Sequence, residues 1–357
     1  MRLGQVEEPR AQLTLAYEND FRDVATVNTL RLLDTLQKFN TVHDGNIILK
    51  LDPKEAAVLT PYFEALIQRA LANYEDKYHL TLPEPVQVEV YPNHADFAVR
   101  SVGLPGLGAL GVTFGTVVAM DSPSARPPGE FNWATTLWHE LDHVFVLTAT
   151  SNLVPRWFAE GLAVHEETQA DPEWGDRITP EVLLAVHDGK LLPIAELDRG
   201  FVHPTYAGQV NVSYYQAGRA CDFIQDRWGA DKLVEMVHDF AAPTTTVAVL
   251  QQALAMTPTA FDGAFHTWLL GQLGSEVNSF NAWRAALKAM VAAKDDAAQV
   301  IQYGEQARAL YPDYIYEANP YGFLAHAYLA RHDTAAAQRT LAAYEHEGGL
   351  DPDLLKQ

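Results

Sequence analysis

The chain has 357 residues and a formal net charge of −21, with 48% of its residues apolar and 20% charged. This is the profile of a globular protein with one large domain and a smaller one, or two or three modest ones. It argues against nucleic acid or an anionic membrane as the partner, and no stretch approaches the ~18 apolar residues of a transmembrane helix.

Met1 to Gln12 has no apolar signal core, so the compartment stays open: cytoplasmic by default, exported if a leader has been removed. The single cysteine, Cys221, excludes an intramolecular disulfide and a cysteine-rich zinc knuckle. It sits in the apolar run Ala220 to Ile224 and reads as a buried small hydrophobe.

Residues 1–45 read as a helical lead-in, with Leu30, Leu32, Leu33, Leu36 and Phe39 on one stripe. Asn46 to Leu51 reads as a strand. Asp52-Pro53 is a helix start, with Asp as cap and Pro in the first turn, and that helix is predicted to run to Tyr78. Val86 to Val90 is a second strand and His94 to Arg100 a short helix. The glycine-rich loop Gly103 to Gly111 has no lysine or serine placed for phosphate and lacks a nucleotide fingerprint. It leads into Val112 to Met120, read as one strand from its β-branched content, and Asp121 to Gly129 reads as loop. Helices then dominate: Asn132–Thr148, Pro155–Thr168, Thr179–His187, Ser213–Trp228, Asp231–Phe240 and two more over Thr246–Leu273.

From Trp283 the composition turns alanine-rich. Lys294-Asp295-Asp296-Ala297-Ala298-Gln299 recurs in outline as Arg331-His332-Asp333-Thr334-Ala335-Ala336, an offset of 37 residues. That period is near that of a helix-turn-helix repeat, and Ala325 to Leu329 resembles the tetratricopeptide pattern. Two hairpins are too few to stand alone.

Chemistry concentrates in Leu137-Trp138-His139-Glu140-Leu141-Asp142-His143-Val144. Residues four apart share a helix face, so His139 and His143 can aim their imidazoles at one point, half of a tetrahedral zinc site. Glu140 flanks that point and can hold a water. The helix is otherwise apolar, and buried histidines and carboxylates need a metal or partners to satisfy them. A third ligand is offered by Glu160, 17 residues after His143, which leaves room for one turn-back between two helices. It lies in Pro155-Arg156-Trp157-Phe158-Ala159-Glu160-Gly161-Leu162-Ala163. Glu167, seven residues after Glu160 on the same face, is the candidate to orient a ligand histidine. Asp142 reads as solvent-facing and His165 as structural.

These two segments resemble the gluzincin metallopeptidases, most closely the peptidase-MA-like family, which shares its core with thermolysin-like and aminopeptidase-type enzymes. The resemblance extends over residues 45–275 and implies one catalytic zinc ion held by His139, His143 and Glu160. Glu140 would be the general base that deprotonates the zinc-bound water and later protonates the leaving amine. Ser213-Tyr214-Tyr215-Gln216-Ala217-Gly218 is similar to the Tyr-x-x-Gly segment whose tyrosine donates to the oxyanion. That points to Tyr215, with Tyr214 and His203 as fallbacks, and Arg219 would meet a substrate carboxylate or a surface acid. The strand at Val112–Val118 stands where gluzincins pair the substrate backbone. The Gly-x-Met-Glu-Asn motif that holds a free N-terminus is missing, which favours endopeptidase over aminopeptidase action.

The expected architecture is α+β. A thermolysin-like zincin core with a small mixed sheet and a mainly helical lobe occupies 46–275, divided at 131/132, and a tetratricopeptide-like tail occupies 276–357. The expected function is a zinc metallopeptidase acting on peptides or proteins, with a protein partner for the tail and no nucleic acid or membrane span. The alternative is a catalytically idle scaffold on the same fold, and a zinc hydrolase of a non-peptide amide is a third reading.

Overall fold

Strand formers precede helix formers along the chain, and the resulting architecture is α+β with one small sheet. The computed structural model describes residues 4, 6–105, 108–127, 131–175 and 178–356. Parts of the N-terminal segment, of the glycine-rich loop (106 and 107) and of the Pro/Ser-rich loop (128 and 129) lie outside the described residues. The chain divides into two compact units, Met1–Trp174 with Ile224–Leu254, and Gly175–Phe223 with Ala255–Gln357.

The first unit opens with α1 (Glu7–Glu18), which buries none of its side chains, and α2 (Val24–Leu36), which buries Leu32 and Leu33. The helical reading of residues 1–45 fails at Asn40, because Asn40–Asp44 is a strand, β1. Its residues are exposed or half-buried, so they carry no alternating apolar signal. Hydrogen bonding to β2 (Ile47–Leu51) across the Gly45 turn makes them a strand. Asp52 then accepts from the Lys54 amide and caps α3 (Pro53–Tyr78), the start signal legible in the sequence. α3 leads to β3 (Val86–Tyr91), buried throughout, and α4 (His94–Val102) leads to β4 (Gly111–Phe114) and β5 (Val117–Asp121). The run predicted as one strand over Val112–Met120 is thus a hairpin. Gly115 takes φ 60°, a conformation open to glycine, and turns the chain back.

The sheet order is β1-β2-β3-β5-β4, with parallel pairs inside and an antiparallel pair at each edge. β4 is therefore an edge strand. Glu89 on the central strand β3 and Arg100 on α4 are both fully buried, with Arg100 Nε 2.7 Å from Glu89 Oε2. The Tyr91 hydroxyl (2.7 Å) and the Gln87 amide (2.6 Å) donate to the same carboxylate. Its charge and bonds outweigh the burial penalty and raise the Arg100 pKa, so the guanidinium keeps its charge.

Next come α5 (Trp133–Ala149) and α6 (Arg156–Ala170). The Asn132 side chain caps α5 by accepting from the Ala134 and Thr135 amides. An aromatic row on α3 packs against α5: Phe63 stacks on Trp133 at 4.5 Å, and Tyr74 meets both Trp138 and Phe145. Each such buried ring contributes roughly 1.5–3 kcal/mol by its area alone, so α5 is held rigidly along its length.

In the second unit α7 (Pro180–His187) and α8 (Asp198–Val202) precede α9 (Gln209–Trp228), whose last five residues return to the first unit. α10 (Asp231–Asp239) and α11 (Thr246–Leu254) complete the first unit. α12 (Pro258–Ala292) is one unbroken helix that runs through residue 275, beyond the stop at Leu273 expected from the sequence. α13 (Ala297–Leu310), α14 (Pro320–Ala330), α15 (Thr334–His346) and the short α16 (Pro352–Leu355) follow. Helices α12 to α15 pack as consecutive neighbours. The two recurring segments are the turns into α13 and α15, capped by Asp296 and Asp333. Among the described residues no helix is long and apolar enough to cross a membrane.

Candidate metal centre

Helical period places His139 and His143 on adjacent turns of α5, with ring centroids 4.7 Å apart and ring planes perpendicular. A short turn, with Ser151 and Asn152 in the left-handed region, returns the chain into α6. That brings Glu160 against them. One candidate ligand atom from each of the three lies within 4.8 Å of the others. His139 Nε2 is 3.3 Å and His143 Nε2 3.2 Å from the same oxygen, Glu160 Oε2.

Glu167, one helical face further along α6, closes on the far side of His139, its Oε1 2.6 Å from Nδ1. A carboxylate only accepts, so Nδ1 carries the proton and Nε2 of neutral His139 presents its lone pair to the cluster. The other oxygen of Glu160, Oε1, is 3.2 Å from Arg156 Nε, an i, i+4 pair. Two imidazole nitrogens and one carboxylate oxygen thus converge, a donor set that fits a zinc ion. Burial opposes charge on His139, but hydrogen bonds to Glu160 and Glu167 raise its pKa well above the usual histidine range. His143 is raised too, against its burial, by the Glu160 charge. Burial would raise Glu160, yet the charge of His143 and the bonds from both histidines hold it well below the usual carboxylate range.

Glu140, buried on α5, feeds its charge to both histidines. Thr113 on β4 reaches it: Thr113 Oγ1 lies 2.6 Å from Glu140 Oε2 and 2.9 Å from the Glu140 carbonyl oxygen. The sequence reading of Asp142 as solvent-facing is corrected here, since it is fully buried. The end of α3 lies over that face of α5, and the Tyr78 hydroxyl donates to Asp142 Oδ1 at 2.6 Å. Burial and the nearby Glu166 carboxylate push the Asp142 pKa up to about 6, and Glu166 itself pairs with Lys77. His165 is buried and bonds Gln225 at 3.0 Å, in keeping with a structural part.

The structure brings His139, Glu140, His143, Glu160 and Glu167 together in the first unit. Tyr215, Tyr214, His203 and Arg219 belong to the second unit. There Tyr215 is buried on α9, Tyr214 meets Phe201 edge-on at 5.1 Å, and Arg219 pairs with Asp222 at 2.6 Å. Sequence reasoning missed Thr113 and Arg156. The i, i+4 spacing of Arg156 and Glu160 was a signal for the second, whereas Thr113 had none, since its strand and Glu140 meet only in the fold.

The family model described as Peptidase MA superfamily matches residues 66–271, more than half of the chain. Neither the curated proteins nor the solved structures give a significant match.

Proposed function

The chain belongs to the peptidase MA superfamily, and on that premise we propose that it is a zinc-dependent peptidase with His139, His143 and Glu160 as the ligands. The observation that carries the proposal is the convergence of two imidazole nitrogens on one oxygen of Glu160. When bound, zinc would polarise the scissile carbonyl and bring the pKa of a water to about 7.

The chain's own residues do the rest. Glu140 takes the proton from the attacking water and returns it to the leaving amine. Glu167 fixes the tautomer of His139 so that Nε2 faces inward. Tyr215 is the proposed donor to the oxyanion, supported by its Tyr-x-x-Gly segment. β4, as an edge strand, offers backbone groups to an extended peptide. With no motif to hold a free N-terminus, cleavage within a chain is favoured over trimming from its end. The tail, with its capped and consecutive helix pairs, is proposed to be tetratricopeptide-like and to hold a protein partner.

The test is peptide-library cleavage with and without a chelator, alongside metal analysis of wild type and Glu140→Gln. The variant should keep its zinc and lose activity by about 10²–10⁴-fold. Chelator-insensitive cleavage, or full activity in Glu140→Gln, would refute the proposal.

A further inference from the structure

We propose that Thr113 is a positioning residue that sets the side-chain conformation of Glu140, and that Gly111 is the space this conformation requires. The proposal rests on the reading of Glu140 as the general base. β4 is only four residues long, and Gly111 and Thr113, two apart, project from the same face. That face meets Glu140. A Cβ at Gly111 would lie 2.6 Å from Glu140 Cγ, 2.7 Å from Oε1 and 2.9 Å from Cδ. No side-chain carbon tolerates such distances, so the Glu140 side chain holds this place beside the strand only because residue 111 has no side chain.

Thr113 fixes the other oxygen. Its Oγ1 has one proton and two acceptors in reach, Glu140 Oε2 at 2.6 Å and the Glu140 carbonyl at 2.9 Å. The carboxylate is nearer and charged, and charge-assisted bonds are the stronger. No other hydrogen bond to this carboxylate is made by the described residues, so Oε2 is tied to the strand and Oε1 keeps its lone pairs for a proton. The same strand that would pair with an extended peptide therefore also aims the base.

The test uses the full-length protein in three forms: wild type, Thr113→Val, which keeps the shape and removes the hydroxyl, and Thr113→Ser, which restores it. Crystal structures of the metal-free proteins should show Glu140 leaving the strand in Thr113→Val and keeping its place in Thr113→Ser. In the zinc-loaded proteins kcat should fall about 10-fold or more in Thr113→Val, the size expected for one bond to a charged group. KM and zinc content should hold, and Thr113→Ser should recover most of the rate. A wild-type Glu140 conformation in Thr113→Val, or a loss that Thr113→Ser does not rescue, overturns the proposal. Gly111→Ala should displace the carboxylate by itself, and an unmoved Glu140 in that variant also overturns it. If wild type cleaves no peptide, the functional reading fails, while the structures still decide whether Thr113 and Gly111 place Glu140.

Discussion

Replacing Asp142 by asparagine should make the metal-free protein more stable at neutral pH, although Asp142 is fully buried and hydrogen-bonded. Its carboxyl is pushed from an ordinary 3.8 up to about 6, first by burial and then by Glu166. At about 1.4 kcal/mol for each tenfold change in proton affinity, the ionised form is disfavoured in the fold by roughly 3 kcal/mol. The folded pKa is the higher one, so the native state binds more protons between the two values. Stability is therefore lost as pH rises from about 4 to about 6 and stays lost above. Asparagine removes the charge and keeps an acceptor for Tyr78, at a loss of about 1 kcal/mol for the weaker bond. Among the described residues Asp142 Oδ2 has no hydrogen-bond partner, so the amide nitrogen replaces one unpartnered atom by another. The net gain should be about 2 kcal/mol near pH 8 and should vanish near pH 4. Urea unfolding in the presence of a chelator, followed by tryptophan fluorescence across that range, measures it. Adding zinc should shrink the gain, because a cation beside His143 favours the ionised carboxylate. A variant less stable than wild type near pH 8, or a difference that ignores pH, would refute the reasoning.

Glu167→Ala should weaken zinc binding by about 10–100-fold, because His139 loses the acceptor that fixes its tautomer. Glu167→Gln should lose less, and competition against a chromophoric chelator separates the two; equal affinities in all three proteins would remove Glu167 from the site. Glu89→Leu strands the Arg100 charge among buried groups and should lower stability by about 3–5 kcal/mol. Thermal unfolding reads this directly, and a shift worth under about 1 kcal/mol would mean that water reaches the guanidinium.

The parts of this molecule that could be read from sequence are those whose signal is local. Asp52-Pro53 marked the start of α3 because capping involves residues two apart. His139, Glu140 and His143 declared a shared face through helical period alone. Glu167 was within reach for the same reason, as a later turn of the helix that carries Glu160. What stayed hidden depends on partners distant in sequence. β1 is a strand because of β2 and is too exposed to show a pattern of its own. Asp142 read as a surface acid because nothing within α5 reveals that Tyr78, 64 residues earlier, lies over it. Thr113 and Glu140 are 27 residues apart and meet only once the sheet edge packs on the helix. The long α12 escaped because its stop was sought at Leu273, and the helix continues to Ala292.

The ionic group that joins β3 to α4 has a meaning for how this protein can change over generations. Gln87, Tyr91 and Arg100 all donate to the Glu89 carboxylate in a place without solvent. Losing any one leaves a neighbour without its counterpart, so single steps away from the set lead downhill. A lineage can leave it only through paired replacements, acid and base together, by apolar residues of matching volume. Among homologous chains positions 89 and 100 should accordingly vary as a couple, charged in both or in neither. That coupling is a mark by which relatives of this sheet can be told apart from chains that share only the histidine motif.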